Sequence, residues 1–160
     1  MKIGVVSDTH SRAIPRQLFD DFKDVDLIIH AGDFCTQEDL KKFTSLKEVK
    51  AVYGNMDESK LCAKLPEKSI FEWNGFSIGL FHGEGPPQKV INFVKERFKK
   101  DKVDVIVFGH SHQAFNEVID GTLYFNPGSP NDTIFAPFCS YGILKVKDRR
   151  IVGEIIKVKV

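Results

Sequence analysis

The sequence predicts an α/β fold that opens with parallel strands and closes with antiparallel ones. Three apolar runs, Ile3 to Val6, Leu27 to Ile29 and Val49 to Tyr53, are separated by two stretches with helical spacing, Ile14 to Phe22 and Gln37 to Leu46. That is a βαβαβ pattern, which places consecutive strands parallel. The character then changes, because Ser69 to Trp73 and Phe76 to Phe81 flank Asn74-Gly75, the dipeptide that suits a two-residue type I′ hairpin.

After the hairpin, Val90, Ile91, Val94 and Phe98 recur on one face of a 3.6-residue period behind Pro86-Pro87, so a helix is expected with Pro87 in its first turn. The Lys99, Lys100 and Lys102 cluster reads as its solvated C-terminal end. Val103 to Phe108 reads as a buried strand. Ala114 to Ile119, the Asp120-Gly121 turn, Leu123 to Phe125, Tyr141 to Val146 and Ile151 to Val158 read as an antiparallel meander. No linker or low-complexity stretch interrupts the 160 residues, and a single domain over 1–160 is expected.

Composition narrows the function classes. A net charge of +1 supplies no basic field for a nucleic-acid backbone, so no stable nucleic-acid binding is expected and any phosphate must be met locally. No apolar stretch approaches the ~20 residues of a membrane span. The short run before Asp8 reads as a strand, not a signal peptide. Cys35, Cys62 and Cys139 are scattered, without CxxC spacing, which suits reduced thiols used as filler in a cytoplasmic protein.

The functional signal is positional. Asp8 and His10 follow the first strand, Asp33 the second and Asn55 the third; His82 follows the second hairpin strand, and His110 with His112 the Val103 to Phe108 strand. Ligand sites of α/β sheets form at this C-terminal strand edge, where strands fix geometry and loops supply side chains. Asp8-x-His10 and His110-x-His112 each place two side chains on one side of an extended segment. Gly32, Gly54 and Gly109 stand directly before Asp33, Asn55 and His110, as tight turns or a close backbone approach require. Taken singly, each of these residues is more often a turn or core residue; seven on one edge is another matter. His30 lies inside its strand and reads as a hydrogen-bonded core histidine behind the site.

Two carboxylates, four imidazoles and an amide make an oxygen and nitrogen set without thiolate. Such a set suits two divalent ions sharing a carboxylate, with Mn²⁺ favoured and Ni²⁺, Co²⁺, Fe²⁺ or Zn²⁺ compatible. Two such ions can hold a bridging hydroxide for attack on a bound substrate and offset the charge that develops in the transition state.

With these residues assembled, the sequence resembles the calcineurin-like metallophosphoesterases, and within them the small phosphodiesterases related to the retromer subunit of the same fold. The matching blocks are Ser7-Asp8-Thr9-His10, His30-Ala31-Gly32-Asp33, Tyr53-Gly54-Asn55-Met56-Asp57, His82-Gly83, Gly109-His110-Ser111-His112 and Asn126-Pro127-Gly128-Ser129. The resemblance implies a four-layer α/β/β/α sandwich, two mixed sheets packed face to face and flanked by helices. It also implies that Asp8, His10, Asp33 and His112 hold one ion and Asp33, Asn55, His82 and His110 the other. Catalytic work then falls to Asp33, Asn55 and His110, and substrate contact to Asn55 and Arg12, although an exposed loop arginine is the commoner reading of Arg12.

Two departures bear on the substrate. Where many relatives have a histidine after the asparagine that protonates the leaving group, this chain has Met56, and Glu84 stands where a further histidine is common. A thioether donates no proton, so phosphodiesters or phosphomonoesters with good leaving groups are expected as small-molecule substrates. The other reading is a non-enzymatic protein-binding scaffold of the same fold. Phe34, Phe135 and Phe138 are candidates for an apolar wall beside the metals or a homo-oligomer contact, although with 14 Phe in the chain ordinary packing is the simpler role.

Overall fold

The structure is a computed structural model that describes residues 1–159; the last residue of the expected 1–160 domain lies outside them. Strands β1 (Lys2–Val6), β2 (Leu27–His30) and β3 (Val49–Ala51) alternate with helices α1 (Arg16–Phe22) and α2 (Gln37–Thr44), and β1, β2 and β3 pair in parallel. A short helix, α3 (Ser59–Lys64), follows; its six residues are too few to leave a period in the sequence. Next come β4 (Lys68–Trp73) and β5 (Phe76–Phe81), antiparallel across Asn74 and Gly75, whose φ values of 49° and 84° match the expected type I′ turn.

Pro87–Lys89 forms a single 3₁₀ turn that leads into α4 (Val90–Arg97). The α-helix therefore starts after Pro87 and ends before the lysine cluster, at Phe98, which is buried. Strands β6 (Val105–Val107), β7 (Phe115–Ile119), β8 (Thr122–Asn126), β9 (Ser140–Lys147) and β10 (Arg150–Lys157) complete the order.

The expected meander is corrected here. The last four strands form two hairpins in different sheets: β7 and β8 join one sheet, with β8 parallel to β6, whereas β9 and β10 join the other, with β9 antiparallel to β1. Hairpin turns such as Asp120-Gly121 specify only local pairing, and the connection from Pro127 to Cys139 carries the chain across. The sheet orders are β10-β9-β1-β2-β3 and β4-β5-β6-β8-β7, both mixed.

The two sheets pack face to face over Ile3, Val5, Ile29, Leu80, Val107, Phe125 and Leu144. The outer face of the first sheet is covered by Leu18 and Phe22 of α1 and Phe43 of α2, and that of the second by Val90 and Val94 of α4 with Phe98. Helix, sheet, sheet, helix is the expected four-layer order. Phe125 shows how closely the layers fit, because a Cβ on Gly142 or Gly153 of the opposite sheet would come 2.4 or 2.5 Å from its ring. Among the described residues no helix is long and apolar enough to cross a membrane.

Candidate metal centre

Parallel strands point their C-terminal ends the same way, so β1, β2 and β3 deliver their following loops to one edge, and β5 and β6 deliver theirs to the neighbouring edge of the second sheet. The loops meet there as two clusters, Asp8 with His10 and His112, and Asp33 with His82 and His110. The His10 and His112 Nε2 atoms lie 3.2 Å apart, and His112 Nε2 is 3.4 Å from Asp8 Oδ1. In the second cluster His82 Nε2 is 3.1 Å from Asp33 Oδ2. That same Oδ2 is 3.7 Å from His10 Nε2, so the Asp33 carboxylate faces both groups. Asn55 is exposed at the rim, with its Oδ1 3.2 Å from His110 Nδ1.

The backbone is strained where it presents these groups. Asp8, His10, Asp33, His110 and His112 have φ of 59°, 49°, 62°, 71° and 59°, the left-handed region that costs ordinary residues free energy and persists at functional sites when the surroundings enforce it. The surroundings are specific. Asp8 Oδ2 accepts from the Ser7 hydroxyl at 2.8 Å and from the His110 N–H at 3.0 Å, which locks β1's loop to β6's. Asp33 Oδ1 accepts from the Met56 N–H at 2.8 Å. Gly54 allows this approach, since a Cβ there would sit 2.2 Å from Asp33 Oδ1.

Three of the four imidazoles are held from behind. His82 Nδ1 donates to the Ala31 carbonyl at 2.7 Å, His110 Nε2 to the Gly85 carbonyl at 3.0 Å, and His112 Nδ1 to the Asp132 carboxylate at 2.5 Å. An imidazole that donates through one nitrogen offers the other as a lone pair, the pattern of metal-ligating histidines. Among the described residues three buried side-chain atoms have no hydrogen-bond partner, Asp39 Oδ1 and, within the clusters, Asp8 Oδ1 and His82 Nε2, and orphaned buried polar atoms are costly unless something binds them. Ligand atoms about 2.1 Å from a shared ion stand roughly 3.0–3.4 Å apart; the His10–His112, His112–Asp8 and His82–Asp33 pairs have that spacing, and the atoms of each cluster all lie within 4.8 Å of one another. The residues therefore fit divalent metal ions.

Electrostatics run the same way. Burial pulls the His82 and His112 imidazoles down, but the Asp8 carboxylate, with Asp33 for His82 and Asp132 for His112, outweighs it and pushes each up to about 9. Burial alone would raise Asp8, yet His82, His112 and Ser7 hold it below the ordinary carboxylate value. Without metal, protons on these imidazoles offset the buried carboxylates.

The other expected residues divide. His30 is buried, stacked on Phe34 with ring centroids 3.6 Å apart; its Nδ1 accepts from the Gly32 N–H and its Nε2 meets the Thr9 hydroxyl, so it supports the site from within the strand. Burial holds its pKa well below the ordinary value, which keeps the ring neutral. Thr9 in turn donates to Asp39. Arg12 is exposed and makes no ion pair among the described residues. Asp57 accepts three backbone N–H groups, from Asp33, Cys35 and Gly54, and so acts as a brace for the two loops. Met56 is 56% exposed beside the site. Of the phenylalanines, Phe34 is core whereas Phe135 is 81% exposed.

Sequence reasoning missed Asp132. In the chain it looks like a turn residue after Pro130-Asn131, and only its place three residues after Ser129 hinted at a local cap. It also overlooked the Gly85 carbonyl, which has no side chain to signal it.

Fold and centre together define a metallophosphoesterase. The profile of the calcineurin-like phosphoesterase superfamily domain matches residues 1–149, and the chain belongs to that superfamily. It is 35% identical over 162 residues to a probable metallophosphoesterase of Methanothermobacter thermautotrophicus, covering 98% of this chain and 92% of that protein. It is 32% identical over 143 residues to a phosphodiesterase of Methanocaldococcus jannaschii, covering 80% of this chain and 83% of that one. Among solved structures, the zinc complex of Vps29 from Entamoeba histolytica superposes with a TM-score of 0.75 at 23% identity, covering 98% of this chain and 99% of that chain, a likeness of fold.

Proposed function

We propose that the protein is a dinuclear metal-dependent phosphoesterase that hydrolyses small phosphodiesters and phosphomonoesters with good leaving groups. The observation that carries this reading is the position of Asp33 Oδ2, 3.1 Å from His82 Nε2 and 3.7 Å from His10 Nε2. That oxygen lies within reach of both clusters, as does Asp8 Oδ1, 3.4 Å from His112 Nε2 and 3.7 Å from His82 Nε2; of the two, Asp33 is the one the family resemblance assigns as the bridge. Asp8, His10, Asp33 and His112 would hold one divalent ion and Asp33, Asn55, His82 and His110 the other; the mixed oxygen and nitrogen donor set admits Mn²⁺, our preferred ion, as well as Fe²⁺, Co²⁺, Ni²⁺ or Zn²⁺. Bound there, the two ions supply an activated water for in-line attack and offset the charge that develops on the phosphoryl group.

The chain's own residues supply the rest. Asn55, exposed at the rim, presents its amide N–H₂ to a phosphoryl oxygen, and Arg12, an exposed cation on the Asp8–His10 loop, steers the same anion. The carbonyl and carboxylate partners behind His82, His110 and His112 fix which ring nitrogen would face the ions. No side chain at position 56 hands a proton to the departing oxygen, and the Asp57 carboxylate is occupied by backbone N–H groups. Leaving groups that depart as anions are therefore favoured. The phosphodiesterase relative supports the same preference.

The assay that tests this compares bis(p-nitrophenyl) phosphate with p-nitrophenyl phosphate. Metal-stripped protein should be inactive, Mn²⁺ should restore turnover with the diester ahead, and Asp33→Asn should fall to the stripped level. Metal-loaded wild type no faster than Asp33→Asn on either substrate would reject the enzyme and favour the scaffold reading, for which the exposed Ile134 and Phe135 are the available surface.

A further inference from the structure

The connection that carries the chain from one sheet to the other also grips the first cluster. The Asn126 amide donates to the Gly109 carbonyl and the Ser111 hydroxyl, and the Ser129 hydroxyl donates to the Asp8 carbonyl at 2.9 Å. The Asn131 amide donates to the Thr9 carbonyl, also at 2.9 Å. At the end of this run stands Asp132, 2% exposed, with both carboxylate oxygens engaged. Oδ2 accepts from His112 Nδ1 at 2.5 Å, and Oδ1 accepts the N–H groups of Ile134 and Phe135 at 2.9 and 3.0 Å. Its own N–H donates to the Ser129 hydroxyl at 3.1 Å.

We propose that Asp132 is a positioning residue that fixes the tautomer and ring angle of His112, and that the exposed Ile134–Phe135 turn holds the Asp132 carboxylate in register through its two N–H groups. The proposal rests on the metal-centre reading above. A neutral imidazole carries one proton; with it on Nδ1 and given to the carboxylate, Nε2 is the lone pair turned toward Asp8 Oδ1 and His10 Nε2. The turn's side chains are solvent-exposed, at 72% for Ile134 and 81% for Phe135. Apolar packing therefore contributes little to its placement, and the Asp132 oxygen is the visible restraint. The metal centre and this surface turn thus share one carboxylate.

An amide at this position has one acceptor oxygen where two are needed. In Asp132→Asn the side chain either turns its N–H₂ against the N–H groups of the turn or donates to His112 Nδ1, which moves the ring proton to Nε2 and blocks the ligand face. Calorimetric titration with Mn²⁺ reads this directly. Wild type should show two binding events; Asp132→Asn should weaken one by about 10- to 100-fold and leave the other unchanged. Phe135→Pro removes one N–H anchor and should weaken the same event by a smaller factor, while Phe138→Ala, in the same loop without a bond to Asp132, should match wild type.

In Zn²⁺-loaded wild type, ¹⁵N-histidine spectra should show two hydrogen-bonded Nδ1–H protons, those of His82 on the Ala31 carbonyl and of His112 on Asp132, the carboxylate-bound one the more strongly deshielded and the one lost in Asp132→Asn; this wild-type signal tests the proposal even if the variant does not fold. Two unchanged events in Asp132→Asn, or no such proton in wild type, overturn the positioning role. A wild-type response in Phe135→Pro overturns the part played by the turn. Loss of both events together with a lowered metal-free melting temperature shows a merely structural role and also overturns it. Wild type that binds two ions but hydrolyses nothing sinks only the proposed function, whereas wild type that binds none sinks both.

Discussion

His10 and His112, 102 residues apart in the chain, face each other with their Nε2 atoms 3.2 Å apart and the Asp8 carboxylate beside them. Without metal, the proton held on His112 can lie between the two nitrogens, and a shared cation would replace that contact with ligation by both. The fold should therefore be more stable with metal than without. Mn²⁺ at a hundred times its Kd should add about 2.7 kcal/mol per site, read as a rise in melting temperature that EDTA reverses and that is smaller in His112→Ala, which keeps the second set of ligands.

Protonation should oppose the metal. His82 and His112 are held up at about 9 from an ordinary 6.5, so their protonation stabilises the metal-free fold. That contribution is complete below about pH 6.5 and is lost as the pH rises through about 9. Metal-free protein should accordingly lose stability between pH 6.5 and 9, while apparent Mn²⁺ affinity climbs over the same window as fewer protons must leave. Urea melts without metal and titrations with metal, both across that range, check the two slopes.

Gly54 separates site from fold. A Cβ there would lie 2.2 Å from Asp33 Oδ1 and 2.7 Å from Asp33 N, so Gly54→Ala must displace the carboxylate or the loop. Mn²⁺ binding should weaken by at least about tenfold, with the secondary structure seen by circular dichroism unchanged.

Phe125 tests the packing between sheets. It is fully buried between Gly142 and Gly153 on one side and the inter-sheet core on the other. Phe125→Ala should cost about 3–5 kcal/mol, measured by denaturant unfolding of metal-free protein so that loss of metal does not enter.

Met56 tests the leaving-group argument. Its N–H is used by Asp33 Oδ1, but its side chain is exposed, so Met56→His keeps the backbone contact and adds a proton donor. Turnover of an alkyl phosphodiester should rise by about 10²-fold or more, with little change for an aryl diester whose leaving group needs no proton.

Much of this was legible from the chain because period and position carry information. The βαβαβ start, the Asn74-Gly75 hairpin and the strand ends bearing Asp8, Asp33, Asn55, His82 and His110 all follow from local pattern. The placement of β7 to β10 did not, since a hairpin turn encodes pairing with its neighbour and not which sheet the pair joins. Asp132 escaped for a related reason. Its role depends on His112 lying 20 residues away in sequence and touching only after β8 and the following connection have folded back. His30 was read as support from its place inside β2, and its bonds to Gly32 and Thr9 agree.

The central claim is that two ions share Asp33. Crystals of the full chain soaked in Mn²⁺ and measured at the manganese absorption edge test it most directly. Two anomalous peaks about 3.5–4 Å apart, with the Asp33 carboxylate between them and His10 and His82 on opposite sides, are the predicted result; a single peak, or none at these clusters, would contradict it.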